Sequence, residues 1–146
     1  MALAPAASVE QLVALLRSHL LADTAVSTIV GGRVHGAHLQ DADARTVSYP
    51  LVVMELEGGY TTTASTYQNV TAYVYAYHRD SQGEALRLYD AIHAALQHQL
   101  LRRDGVPLAG YCMETARPDY GWNERARAWY ARGLWSVRAG YRQGQA

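Results

Sequence analysis

The sequence contains no lysine: all 13 of its positive charges are arginine. It contains no phenylalanine either, against 11 tyrosines and 3 tryptophans. An all-arginine, tyrosine-rich chain is suited to desolvated contacts between surfaces, where lysine is depleted. A GC-rich coding sequence also accounts for the arginine bias without any function. Cys112 is the only cysteine, which excludes an internal disulfide and any multi-cysteine zinc site. A reducing, intracellular setting is therefore the expectation. No stretch approaches the roughly 20 consecutive apolar residues of a membrane span. The opening "MALAPAASVEQ" has no basic segment ahead of an apolar run, so it does not read as a signal peptide.

What is present is one domain's worth of chain, 146 residues with 49% apolar content. The net charge is zero but unevenly spread. Residues 1–100 carry five arginines against nine acids (−4), and residues 101–146 carry eight against four (+4). So mild a balance does not predict nucleic-acid binding, and it is compatible with head-to-tail contacts between copies.

Periodicity sets the order of elements. Residues 8–23 form an amphipathic helix, with Ser8 and Gln11 at capping-box spacing and Val9, Leu12, Val13, Leu16 and Leu20 at helical intervals. Residues 31–49 have no sustained period and read as a long loop. "LVVMELE" after Pro50 is a strand, and "GGYTTTASTYQ" a hairpin (57–68) whose arms project beyond the sheet. In "NVTAYVYAYH" Val70, Ala72, Val74 and Ala76 point one way and Tyr73, Tyr75 and Tyr77 the other. Ser81 and Glu84 cap a second helix with a stripe of Ala85, Leu88, Tyr89, Ile92, Ala95, Leu96 and Leu100. "LAGYCMETARP" is a strand, "DYGWNE" a turn, and "RARAWYARGLWSVRAGYR" a long strand with Trp129 and Trp135 on its apolar side.

This order predicts a single α+β domain over residues 1–146, with flexible ends at 1–7 and 143–146. Its antiparallel or mixed sheet carries two helices on one face and long hairpin or loop extensions. The small side chains of Val70 to Ala76 let the second helix lie close. The tyrosine face is left without a third layer, to be solvated, self-packed or covered by another molecule.

The residues argue against catalysis. His35 with His38, and His93 with His98, lack the three or four converging ligands of a metal site. "GGRVHG" has neither the phosphate-loop ending nor the dinucleotide fingerprint, and Cys112 sits in a strand with nothing marking it as a nucleophile. Glu55 and Glu57 share a strand face, where cross-strand arginines such as Arg132 and Arg138 would meet them. The arginines and tryptophans of the last strand suggest a nucleic-acid platform, but alternation separates Trp129 and Trp135 from Arg132 and Arg138. Arg102 and Arg103 suit the dipole at a helix C-terminus.

The segment "GRVHGAHLQDADARTVSYPLVVMEL", the strand "VTAYVYAYHRD", the helix "ALRLYDAIHAALQ" and the closing long strand together resemble the tail-completion or tail terminator proteins of long-tailed bacteriophages. The likeness covers roughly residues 8–142, rests on order and pattern, and is carried mostly by the Gly-Arg-Val and Tyr-Pro-apolar pieces. It implies a homohexameric ring on the head-proximal end of the tail tube that ends polymerisation and joins the tail to the head connector or head-completion protein. It further implies DNA passing through the lumen without sequence readout, assembly in the host cytoplasm, residence in the virion tail or neck, and no membrane, cofactor, metal or catalytic residues. Another neck or head–tail joining protein, or a stand-alone nucleic-acid-binding module, are the alternatives. A ring subunit needs two different lateral surfaces. Tyr73, Tyr75, Tyr77, Arg132, Arg138, Glu55 and Glu57 are the lateral candidates, and Arg33, His35, His38, Tyr60 and Tyr67 the axial ones.

Overall fold

The computed structural model describes residues 9–36, 48–61, 67–102 and 108–141. Among the described residues three helices and six strands follow one another as α1 (Val9–Ala22), α2 (Thr24–Val30), β1 (Val34–His35), β2 (Leu51–Thr61), β3 (Tyr67–His78), α3 (Gln82–Leu96), β4 (Leu100–Arg102), β5 (Leu108–Asn123) and β6 (Ala128–Tyr141). The strands form one mixed sheet in the order β1-β2-β3-β6-β5-β4. Only β1 runs parallel to its neighbour; every other pairing is antiparallel. The expected α+β class is what the chain adopts.

All three helices lie on the face presented by Val70, Val74 and Ala76. Leu15, Leu16 and Leu20 of α1, Val26 and Val30 of α2, and Leu88, Ile92 and Leu96 of α3 join these residues in one buried cluster with Met54, Cys112, Trp135 and Val137. Each fully buried aliphatic side chain of this kind contributes roughly 1.5–3 kcal/mol. Leu15 belongs to this core although it was outside the expected stripe; the side chains of Val9 and Leu12 lie outside the described residues.

Several boundaries differ from expectation, each for a local reason. A third helix, α2, follows α1 because Asp23 caps it: the Val26 amide donates to the Asp23 carboxylate at 3.1 Å. Helix α3 starts at the expected Ser81 cap, whose hydroxyl accepts from the Glu84 amide at 3.1 Å. It ends at Leu96, with His98 at φ 56°, so Leu100 belongs to β4 rather than to the helical stripe. "DYGWN" is not a turn: β5 runs on to Asn123, and the reversal occupies residues 124–127, with Arg127 at φ 49°. Asn123 makes that reversal, its side-chain carbonyl accepting from the Ala126 amide at 3.0 Å. The 31–49 loop contains β1, and residues 37–47 of it lie outside the described residues, as do 62–66 of the 57–68 hairpin.

Tyr89 of α3 packs directly onto Gly133, buried on β6. A Cβ there would overlap the Tyr89 hydroxyl and lie 2.8 Å from its Cζ and 2.9 Å from Glu114 Oε2. Tyr89 of α3 crosses this gap to donate a hydrogen bond to Glu114 on β5. Burial first, and Glu114 second, raise the Tyr89 phenol above its ordinary range, so it stays a donor. Gly133→Ala is expected to destabilise the fold by about 2–4 kcal/mol through overpacking. Adding Tyr89→Phe should return only part of the loss, because the ring carbon remains too near. Urea midpoints of the two variants and wild type check both statements.

Candidate functional site

Register alone puts the tyrosine row of β3 on the face away from the helices, and the chain covers most of it. Tyr75 and Tyr77 keep 7% and 6% of their surface, packed with Leu51, Val53, Ala126 and Ala128 in a second, smaller core. Their rings stack at 5.5 Å and 3°. Tyr49 meets Tyr77 edge-on at 6.4 Å and donates from its hydroxyl to the Ala126 carbonyl at 3.0 Å. Asn123 donates to the Tyr77 hydroxyl at 3.3 Å. Of the possible covers for this face, much is supplied by the β5–β6 reversal folding over its end. Tyr73 remains half-buried.

A polar chain crosses four strands at the exposed end of this row. Arg132 on β6 grips Asp119 on β5 with two parallel bonds, Nε to Oδ1 at 2.8 Å and Nη2 to Oδ2 at 3.1 Å. Its Nη1 donates to the Tyr75 hydroxyl at 2.7 Å, and that hydroxyl donates to Glu55 Oε2 on β2 at 2.9 Å. The guanidinium also lies 4.4 Å above the Tyr73 ring. A fork-shaped, always-charged cation is the group that can hold a carboxylate, accept an aromatic face and donate to a phenol at once. The chain thus joins Glu55, Tyr73, Tyr75 and Arg132 as a set, with Glu55 reaching Arg132 through a phenol. Asp119 was missed by sequence reasoning because it was read as turn; its position opposite Arg132 depends on β5 continuing through it.

The remaining candidates lie apart from this cluster. Glu57 is exposed at a β-bulge between Leu56 and Gly58, and Arg138 is exposed farther along β6. Arg33 precedes β1 and His35 ends it at one end of the sheet, where Arg33 Nε donates to the Pro50 carbonyl at 2.8 Å. Tyr60 and Tyr67 occupy the hairpin arms at the other end, pairing in register with Asn69 and Gly140. The side chains of Tyr60 and Tyr67 and the whole of His38 lie outside the described residues. Trp135 is fully buried, while Trp129 is half-buried beside Trp122 at 5.2 Å. The tryptophans therefore do not share a face with Arg132.

Chemically, this arrangement ties neighbouring strands to one another. Among the described residues no three metal-ligating side chains converge, and no single helix is long and apolar enough to cross a membrane. Cys112 is buried and its thiol is pushed up to about 12 by that burial, far from thiolate reactivity at neutral pH.

Burial pushes the Tyr75 phenol up to about 12, with Arg132 opposing the rise and Glu55 adding to it. Tyr77 is raised by burial and then by Tyr75 beside it. These values exceed the ordinary phenol value of about 10. The stability tied to neutral Tyr75 is therefore complete below pH 10 and is lost as pH climbs through about 12. The urea midpoint should fall over that interval as phenolate absorbance grows. Tyr75→Phe should make the fall shallower while costing stability at neutral pH.

Comparison with known proteins places this geometry. The model of the family described as "Tail completion protein gp17" matches residues 14–125. No curated protein matches the chain. Solved structures that share its fold include the following two. A chain of the virion of the native gene transfer agent particle is 16% identical, with a TM-score of 0.57 over 88% of this chain and 93% of that one. The gp17 protein of bacteriophage SPP1 is 13% identical, with a TM-score of 0.53 over 94% of this chain and 93% of that one. With the family model spanning most of the described core, the chain belongs to the tail completion protein gp17 family.

Proposed function

We propose that this protein forms a ring at the head-proximal end of a phage tail tube, where it ends tube polymerisation and joins the tail to the head connector. The observation that carries the reading is family membership over residues 14–125 on a fold shared with a virion component and a phage gp17. Its partners are further copies of itself, six in the closed ring, the tail tube protein on one side and the connector or head-completion protein on the other. DNA passes through the lumen without sequence readout. The protein is structural, resides in the virion tail and is assembled in the host cytoplasm.

The geometry supports two axial surfaces at opposite ends of the sheet. Arg33 and His35 stand at the end where β2 begins, and the hairpin arms bearing Tyr60 and Tyr67 stand at the end where it finishes. Arg33 is half committed already, since its Nε holds Pro50; its part is to fix the shape of that end. Laterally, Tyr73, Arg132 and Arg138 present polar and aromatic surface, whereas Tyr75 and Tyr77 support it from below.

Purified protein added to polymerising tail tube protein is expected to shorten the tubes in proportion to dose and to appear as a ring on one tube end in negative stain. Unchanged tube lengths with no end density would overturn the terminator reading. DNA affinity that falls steeply with salt in a chain that never associates would favour the nucleic-acid module instead.

A further inference from the structure

We propose that Glu114 is the register lock of β5: the C-terminal half of α3 and the corner after it hold this residue, and so decide where two extra residues of the strand lie. The lock acts within one chain and holds whether or not copies assemble.

The need for a lock follows from the pairing of β5 with β6. Glu114 stands opposite Trp135 and Asp119 opposite Arg132, so β5 advances five residues (119 − 114) while β6 advances three (135 − 132). The excess of two is taken up at two breaks of register, between Glu114 and Ala116 and between Ala116 and Asp119. Side chains alternate along a strand with a period of two. Moving the excess elsewhere along β5 therefore leaves every side chain on the face it already occupies. The apolar pattern forbids a one-residue slip and is blind to this one.

Two slips pass that test. With the excess moved to the reversal, Arg132 would stand opposite Arg117 and lose both bonds to Asp119. Like charges across a strand pair oppose this, so Arg132 guards that end. With the excess moved toward β4, Glu114 would stand opposite Val137 and Cys112 opposite Ala139, each roughly 7 Å along β6 from its present partner. Asp119 and Arg132 stay paired in that case. What holds Glu114 and Cys112 is then what opposes the slip.

The hold comes from α3 and its corner. Tyr89 donates to Glu114 Oε2, and His93 Nε2 stands 4.0 Å from Oε1. The main chain is held as well: the Glu114 amide donates to Gln97 Oε1 at 2.9 Å. Gln97 caps α3, and its Nε2 lies 3.1 Å from His98 Nε2, which turns its carbonyl toward β5. His98 takes the corner at φ 56°, a conformation uncommon outside glycine. That turn brings its amide to the Cys112 carbonyl at 3.1 Å and its ring to the Tyr111 hydroxyl. Strand β4 pairs with β5 only from Ala109 to Tyr111. Beyond it the corner supplies the next two bonds, one from main chain and one from a side chain. A two-residue slip would strip Tyr89 and Gln97 of these partners and leave a mostly buried carboxylate without its donor.

The test is Gln97→Met, which keeps the length of the side chain and removes its oxygen, alone and combined with Tyr89→Phe. Both are read by NMR on the full chain. Wild type should show one set of signals, with cross-strand contacts placing Cys112 opposite Val137. In Gln97→Met the Glu114 amide is expected to exchange about fivefold faster, the loss of one ordinary hydrogen bond. Main-chain groups alternate along a strand, so the Tyr111 and Met113 amides face β6 and touch neither replaced group. On a lock they exchange faster together with Glu114. The double variant should add a second set of signals with Cys112 opposite Ala139, while Asp119 stays opposite Arg132.

Faster exchange confined to Glu114 makes Gln97 a local cap and overturns the proposal. So does a double variant whose only signals keep the wild-type contacts. Should the double variant not fold, the exchange pattern of Gln97→Met decides the matter alone.

Discussion

Packing of α3 onto the sheet is the constraint from which the other features descend. Beneath α3 the strands present mostly small side chains, Ala72, Val74, Ala76, Ala131 and Gly133, with Trp135 the large exception beside His93. In a strand successive residues point opposite ways, so β3 and β6 carry Tyr73, Tyr75, Tyr77 and Tyr130 on the other face, where they build the second core. Tyr89 is the exception that proves spatial rather than compositional: it occupies the gap that Gly133 leaves and ties helix to β5 through Glu114.

A face of tyrosines brings its own requirement, since each buried hydroxyl must find a partner. The β5–β6 reversal meets it twice, by Asn123 on Tyr77 and by the Ala126 carbonyl under Tyr49. Arg132 meets it for Tyr75, and in doing so binds β5, β6, β3 and β2 into one polar chain. Such a chain is worth little as a surface ion pair. Its value lies in register: a one-residue slip of β6 would carry Arg132 to the helix face and strand Asp119, Tyr75 and Glu55 together. The Tyr-Pro piece of the sequence pattern acquires a physical meaning in the same region, because Arg33 of the Gly-Arg-Val piece holds the Pro50 carbonyl while Arg79 lies 4.2 Å over the Tyr49 ring.

Legibility followed the range of the interaction. The α3 stripe and its Ser81 cap, the two faces of β3 and the burial of Trp135 depend on periodicity within one segment, and they were readable from the sequence. The extension of β5 through "DYGWN" was not, since Gly121 and Pro118 argue locally for a turn and only pairing with β6 outweighs them. Helix α2 was missed for a similar reason: seven residues of which five are β-branched are weakly helical alone, and burial of Val26 and Val30 against the core decides the matter. The partner of Arg132 was sought in Glu55 and Glu57 by face, which is half right. The shorter route to Asp119 required knowing where β5 ended.

The two layers also determine where a partner surface can remain. One face is taken by helices and much of the other by the chain's own reversal, so the unsatisfied surface is driven to the rim. At the rim the chain does two opposite things. It interrupts β5 with Pro118 and irregular register, as proteins do to prevent uncontrolled strand addition. Yet it leaves Tyr120 and Trp122 uncovered a few residues away, and Leu56 on the far edge. On the proposed ring reading, a subunit that adds a limited number of neighbours in one geometry gains from both, because side-chain docking can be specific and finite where a main-chain ladder is open-ended.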